Sequence, residues 1–143
     1  SNQTLSSAEV IGSFFDITYA YRFGAAALDA TVVTLDDAAT GARLSDAVHF
    51  PLGRGLLDAD PGLSAEVIAG EAGWFLRLRT IRLAASIQIE DPHYRAEDEG
   101  FNLLPGEERA VRLLATGSPE AVPSGAVFSG SGANEVCYQG RRA

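Results

Sequence analysis

The chain has 143 residues with a formal net charge of −8, 46% hydrophobic residues and 21% charged residues. Those values are typical of a single globular domain, and the acidic balance has the wrong sign for neutralising the phosphates of nucleic acids or of anionic membrane surfaces. Apolar runs are only a few residues long, against the ~20 that cross a bilayer, so we expect a soluble protein with no nucleic-acid and no membrane partner.

The N-terminus predicts a chain cut from a longer polypeptide. The sequence begins at Ser1 without a methionine, and we assign residues 1–12 to a cleavage scar or linker and residues 13–143 to one domain. Cys137 is the single cysteine, so an internal disulfide is excluded, and no basic start precedes an apolar segment. These features favour a cytoplasmic location.

Alternating apolar and polar residues predict strands along the first half of the chain. The predicted strands cover residues 15–23, 30–35, 43–50, 65–69 and 74–80. Turn-forming residues interrupt the pattern at 36–41 and at 70–73. We therefore expect the second strand to pair with the third, and the fourth with the fifth, as antiparallel hairpins.

The second half of the chain continues the pattern with shorter strands. They are predicted over residues 83–89, 101–104, 111–113, 126–128 and 135–138. A polar loop with five acidic side chains fills residues 90–99, and Pro105-Gly106 predicts a turn that joins 101–104 to the next strand as a hairpin. Helical periodicity is nearly absent, so the sequence predicts an all-β fold, an immunoglobulin-like antiparallel β-sandwich.

The apolar positions that share a face in successive strands predict the core. They are Phe15, Ile17, Tyr19, Val33, Trp74, Leu76, Ile87, Leu104 and Leu113. The same rule places Phe75 with Arg77 and Arg79 on the opposite face of its strand. Cys137 lies in an apolar stretch of sequence, where a buried structural thiol is expected.

No group of residues in the sequence has the spacing of a catalytic or metal site. The acidic runs at residues 36–37 and 97–99 lie in predicted turns, whereas a retaining glycosidase needs two carboxyl groups ~5 to 5.5 Å apart across a cleft. Asp58 and Asp60 lack the other ligands of an EF-hand loop, and the two histidines and one cysteine do not form a zinc motif. We therefore predict no catalytic residue, no cofactor and no metal.

Aromatic and leucine side chains are the remaining candidates for contacts. Phe75 is expected to be exposed, and His93 and Tyr94 lie in a predicted loop, so these three are candidate glycan contacts. Leu56 and Leu57 lie in a long irregular connection interrupted by glycine and proline. We expect those two leucines to form an inter-domain or self-association surface.

Several segments, in this order, resemble one known family. They are residues 15–23 (FDITYAYRF), 33–35 (VTL), 50–53 (FPLG) and 101–107 (FNLLPGE). Together they resemble the C-terminal immunoglobulin-like domain of bacterial β-mannosidases in glycoside hydrolase family two, over about residues 14–114. The family's loop before the last segment commonly reads Ser-Asp-Asn-aromatic-Phe, whereas residues 97–101 of this chain read EDEGF.

The resemblance implies a multidomain exo-hydrolase of terminal β-mannosyl residues, with two catalytic glutamates in an upstream (β/α)₈ barrel. Such a barrel needs ~250 residues, more than this whole chain. The chain would then be a non-catalytic accessory domain that packs against the preceding domains of the same polypeptide. Two alternatives stay open, a free-standing carbohydrate-binding module and an adhesion or assembly sandwich, so a glycan and a second copy of the chain are further candidate partners.

Overall fold

The computed structural model describes residues 9, 12, 30–51, 53, 60–117, 121–130 and 134–141 of the chain. From Ala30 onward these residues form nine strands and no helix. The strands are β1 (Thr31–Asp36), β2 (Arg43–His49), β3 (Ser64–Gly70), β4 (Gly73–Arg79), β5 (Gln88–Glu90), β6 (Tyr94–Ala96), β7 (Glu108–Ala115), β8 (Ser124–Ser129) and β9 (Asn134–Gln139). All of their pairings are antiparallel, which confirms the predicted all-β class.

The chain divides into two compact units, Ser1–Leu56 and Leu57–Ala143. The sequence predicts one domain over residues 13–143, whereas the structure has β1 and β2 in the first unit and β3 to β9 in the second. The strand predicted over residues 15–23 lies outside the described residues. The core candidates on that strand, Phe15, Ile17 and Tyr19, therefore stay predictions.

In the first unit, β1 and β2 form the hairpin that the sequence predicts. The Asp37 carboxylate holds its turn, because Oδ1 accepts hydrogen bonds from the Thr40 N–H (2.7 Å), the Thr40 hydroxyl (2.9 Å) and the Ala39 N–H (2.9 Å). These bonds, that of the Thr40 N–H first, lower the pKa of Asp37. Val33 is 61% exposed, so its prediction as a core residue is wrong. Both faces of β1 carry apolar or β-branched residues, so the pattern does not predict which face is buried.

The second unit is an immunoglobulin-like sandwich. One sheet has the order β3-β4-β7-β6 and the other has the order β5-β8-β9. Lettered A to G in chain order, these strands give one sheet A-B-E-D and one sheet C-F-G, which is the order of constant-type immunoglobulin domains. The predicted sandwich is therefore confirmed for the strands of Leu57–Ala143.

The core of the sandwich lies between its two sheets. Leu76 and Leu78 of β4 and Val127 of β8 are fully buried there. In antibody domains a disulfide joins strands B and F. The corresponding strands of this chain, β4 and β8, have aliphatic side chains there. Of the predicted core, Leu76, Ile87, Leu104 and Leu113 are buried, and Trp74 is partly buried against the core.

Glycines form the two tight turns that the sequence predicts in this unit. The β3–β4 hairpin closes at the pair Gly70 and Gly73, and Gly73 has a φ of +110°. At Pro105-Gly106, the N–H of Glu107 donates to the carbonyl of Leu104 (3.0 Å), and Gly106 has a φ of +77°. Proline followed by a residue of positive φ is the signature of a type II turn, which glycine adopts without steric cost.

The hairpin predicted from residues 101–104 is wrong. Leu103 forms an isolated bridge with Ala84, and β7 pairs with β4 and β6 instead. Period-two alternation predicts that a segment is extended, but it does not identify the segment that pairs with it.

The single strand predicted over residues 83–89 is also wrong, since β5 begins only at Gln88. Ser86 interrupts the extended backbone with a φ of +51°, and its N–H donates to the Asn102 side-chain oxygen (3.1 Å). Conversely, β6 lies inside the predicted polar loop. Its three residues are too few for an alternation that sequence analysis could detect.

Candidate functional site

Phe75 lies on the outer face of the four-stranded sheet, as the alternation predicts. Its neighbours in register are Ile68 on β3 and Arg112 on β7. The ring is half-buried and leans over Gly70, where an added Cβ would lie 3.0 Å from the ring carbon Cε2. A ring packed across a strand glycine covers backbone that has no side chain of its own. Phe75 thus has a structural role in the sheet, and its ring is less open than the sequence predicts.

The other two aromatic candidates, His93 and Tyr94, lie in different environments. His93 is exposed, and its backbone N–H donates to Asp91 Oδ1 (2.8 Å). Tyr94 begins β6 and is only 6% exposed, as part of the hydrophobic core. Its hydroxyl donates to the Ala121 carbonyl (2.7 Å). Because Tyr94 faces the core and Phe75 faces outward, the structure does not assemble the three residues into one platform.

Asp91 joins the turn before β6 to the second sheet. Its Oδ1 accepts from the N–H groups of His93 (2.8 Å) and Tyr94 (3.1 Å). Its Oδ2 accepts from the N–H of Ser124 (2.8 Å) and from the hydroxyl of Tyr138 (3.2 Å). We call Asp91, Ser124 and Tyr138 the Asp91 latch, because one carboxylate holds the β5–β6 turn, the start of β8 and the end of β9.

The Asp91 latch changes the acidity of Tyr138. Burial of the phenol, and then the charge of Asp91 and the hydrogen bond to it, raise the pKa of Tyr138 above its usual range. The folded chain therefore keeps the phenol protonated, as a donor, to a higher pH than an exposed tyrosine. Gly125 permits this close packing, since a Cβ at that position would overlap the carbonyl oxygen of Glu90 and touch the Tyr138 hydroxyl.

The acidic residues that the sequence placed in turns have structural roles where the structure describes them. Asp98 pairs with Arg109, whose guanidinium carbon lies 4.1 Å from the centroid of the Phe101 ring. Asp60 accepts a hydrogen bond from the N–H of Gly62 (2.8 Å). These carboxylates stabilise loops and strand ends.

Two further ion pairs join neighbouring strands on the outer face of the four-stranded sheet. Glu66 of β3 pairs with Arg77 of β4, and Glu108 of β7 pairs with Arg79 of β4. The hydrogen bond between Glu66 and Arg77 lowers the pKa of the carboxyl and raises the pKa of the guanidinium. On this sheet, acidic side chains are therefore matched by arginines.

The outer face of the three-stranded sheet forms a shallow depression of about 560 Å³. In one row across the sheet, Phe128 of β8 lies between Gln88 of β5 and Glu135 of β9. In the next row, Ala126 lies between Glu90 and Cys137. We call this surface the acidic face and define it by Gln88, Glu90, Ala126, Phe128, Glu135 and Cys137. It combines a half-buried aromatic ring with two carboxylates and a thiol.

The acidic face contains one residue that the sequence analysis misplaced. Cys137 is exposed, so the prediction of a buried thiol is wrong. Tyr138, the next residue, faces inward, and alternation along β9 then turns Cys137 outward, with its Sγ 3.6 Å from Glu135 Oε1. The same alternation in β8, with Val127 buried, turns Phe128 outward. The phase of the alternation, that is, which alternate residues of β8 and β9 face the core, was the sequence signal that could have identified this face.

Leu56 and Leu57 lie outside the described residues, so the surface predicted for them stays a prediction. In the part of the chain that the structure describes, no group of three or more His, Cys, Asp or Glu residues could hold a metal ion. Over the same residues, no helix is long and apolar enough to cross a membrane.

Comparisons of the chain with protein-family models, with curated proteins and with solved structures give no match. The resemblance to β-mannosidase domains therefore depends on the sequence segments named above.

Proposed function

We propose that this chain is a non-catalytic accessory β-sandwich of a β-mannosidase-like glycoside hydrolase, whose catalytic barrel lies elsewhere in the polypeptide. The observation that supports this function is the strand order of Leu57–Ala143, with sheets β3-β4-β7-β6 and β5-β8-β9. It is an immunoglobulin-like arrangement, the fold that the resemblance implies over about residues 14–114, and the structure has it over Leu57–Ala143. A fold alone does not establish a function. The proposal of a non-catalytic domain also requires that the acidic side chains have structural roles.

The acidic side chains support a structural role for the domain. Asp91 accepts four hydrogen bonds, three of them from backbone N–H groups. Asp98, Glu66 and Glu108 are each paired with an arginine. Carboxylates held in this way fix loops and strand pairs, and they are poorly placed to exchange protons with a substrate.

The first experiment is an assay of the 143-residue chain alone with an aryl β-mannoside. We expect no turnover above the buffer rate, because retaining chemistry needs two carboxyl groups placed across a cleft. Turnover that survives repurification, and that disappears on Asp98→Asn or Glu99→Gln, would contradict the proposal.

A second experiment tests whether the domain and a β-mannosidase barrel belong to one polypeptide. Antibodies raised against residues 57–143 should deplete aryl β-mannosidase activity from an extract of the source cells, because the domain and the barrel share one polypeptide. Antibodies against an unrelated immunoglobulin-like domain serve as the control. Full activity left in the supernatant would contradict the proposal.

A free-standing binding module is the second candidate, and one observation favours it. The acidic face presents the Phe128 ring in an open depression beside the side chains of Gln88, Glu90 and Glu135. Rings with hydrogen-bonding groups beside them are suited to binding, with or without a hydrolase on the same chain. Titration with manno-oligosaccharides, followed by NMR signals of Phe128, would distinguish a glycan-binding module from an accessory domain.

A further inference from the structure

The charges of the sandwich are divided unequally between its two sheets. All eleven basic residues of the chain are arginines. Five of them lie in strands of the four-stranded sheet: Arg77, Arg79, Arg95, Arg109 and Arg112. Strands β5, β8 and β9 contain none. One sheet thus matches its acids with its own arginines, and the other sheet carries acids alone.

The two carboxylates of the acidic face are unmatched within the described part of the chain. The ion pairs that the structure gives there involve neither Glu90 nor Glu135. The two glutamates stand on the outer strands of the sheet in neighbouring rows, about 12 Å apart across β8, given the usual spacings between paired strands and along a strand. The Phe128 ring lies on the strand between them. An aromatic ring flanked by carboxylates is complementary to an alkylammonium or guanidinium group, which binds the ring face and pairs with the acids.

We infer that the acidic face is a docking surface for a basic protein segment, which places an arginine or lysine over Phe128 and its charge near Glu90 and Glu135. The inference deepens the proposed function, on which it rests, by naming the chemistry of the surface against which the domain packs. Complementary charge sets the register and the rate of such docking, and the aromatic contact contributes to its affinity.

The test uses a labelled peptide with alternating arginine and threonine, acetyl-TRTRTRT-amide, and measures its dissociation constant by fluorescence anisotropy at low salt. The matched control peptide carries citrulline in place of arginine, which keeps the shape and removes the charge. We expect Glu90→Gln with Glu135→Gln to weaken binding about tenfold. Phe128→Leu should weaken it about fivefold through loss of the ring. The citrulline peptide should bind neither the parent chain nor the variants.

A charge-matched variant separates this face from general attraction by an acidic protein. Glu97→Gln with Glu99→Gln removes the same charge from the loop of the other sheet and should change binding less than twofold. Equal weakening by both pairs of substitutions would overturn the inference. Circular dichroism of each variant checks that the sandwich is folded before binding is measured.

The single cysteine gives a test without any substitution. A bulky maleimide on Cys137, which is exposed on the acidic face, should block the arginine peptide. A small methylthio group on the same atom should leave binding almost unchanged. Equal binding of the peptide by chains with the bulky and the small group would overturn the inference.

Other occupants of the face would also overturn it. They are a manno-oligosaccharide that shifts the Phe128 signals while the arginine peptide does not, and a dimer of the chain that Glu90→Gln with Glu135→Gln dissociates. The accessory function can fail separately: face-dependent peptide binding without any linked β-mannosidase would refute the hydrolase assignment and keep the docking surface. Loss of the docking surface, in turn, would not affect the immunodepletion result.

Discussion

At the residue scale, Asp91 and Tyr138 do most to hold separate elements of the sandwich together. The carboxylate of Asp91 receives donors from the β5–β6 turn, from β8 and from β9. Tyr138 reaches it from β9, and Gly125 makes room where β8 passes the Glu90 carbonyl. The sequence placed Asp91 in a solvated acidic loop, because a side chain that caps backbone groups and one that faces water look alike in a single sequence.

Tyr138→Phe should lower the free energy of unfolding by about 0.5 to 1.5 kcal/mol at pH 7, since it removes one hydroxyl bond. It should also change the response to alkali. The pKa of Tyr138 is raised in the folded state, so the folded chain keeps a proton that the unfolded chain loses above about pH 10, and stability falls as the pH rises through that range.

Urea unfolding at pH 8 and at pH 11 measures this effect as the difference between parent chain and variant. The variant should lose less stability over the interval. Tyr94→Phe removes a hydroxyl bond of the same kind but leaves the Asp91 latch, so it should keep the alkaline loss of the parent. Equal alkaline losses in the parent and Tyr138→Phe chains would contradict the role given to the latch.

Gly125→Ala should destabilise the sandwich by about 1 to 3 kcal/mol, because the added methyl group overlaps the Glu90 carbonyl and either β5 or β8 must move. Gly117→Ala is the matched control, since nothing lies within 4 Å of a Cβ there. That control should change stability by less than about 1 kcal/mol. The urea midpoints of the two variants give the comparison. Similar midpoints would show that the close approach of Gly125 to the Glu90 carbonyl is unimportant for stability.

At the element scale, β4 shows how alternation serves two surfaces at once. Leu76 and Leu78 fill the core, and Arg77 and Arg79 form ion pairs on the outer face. Alternation along the sequence predicted both faces of this strand, because each has consistent chemistry over its whole length.

Leu76→Ala should cost about 3 kcal/mol of unfolding free energy, as truncation of a fully buried leucine leaves a cavity. Phe75→Ala should cost only about 1 kcal/mol, because the half-buried ring covers Gly70 without filling the core. Thermal or urea unfolding of the two variants gives the comparison. A larger loss for Phe75→Ala would mean that the two faces of β4 are assigned the wrong way round.

Strand pairing beyond the hairpins β1–β2 and β3–β4 was the part of the fold that sequence analysis could not predict. Leu103 forms a bridge with Ala84 and does not pair with β7. The outer strand β6 of the four-stranded sheet comes from the loop that the sequence predicts to be polar. Such partners depend on which long-range pairs bury the most surface, and local patterns carry no information about that choice. The acidic face was missed for a related reason: Phe128, Glu90 and Glu135 are remote in sequence and become neighbours only through the order β5-β8-β9.

At the scale of the whole molecule, the strand order and the division of charge support the same interpretation. The sheet β3-β4-β7-β6 carries its own arginine partners, whereas the sheet β5-β8-β9 presents acids to whatever lies against it. A domain built to dock within a larger polypeptide needs such a surface, and inter-domain surfaces are more polar than the cores of obligate interfaces.

The mass of the native polypeptide that carries this sequence tests the central claim most directly. Antibodies against residues 57–143 should capture from the source cells a single chain of at least about 40 kDa, because a (β/α)₈ barrel adds about 250 residues. Mass spectrometry of the captured chain gives the value. A native chain of 15.0 kDa, the mass of these 143 residues, would contradict the assignment to a multidomain hydrolase.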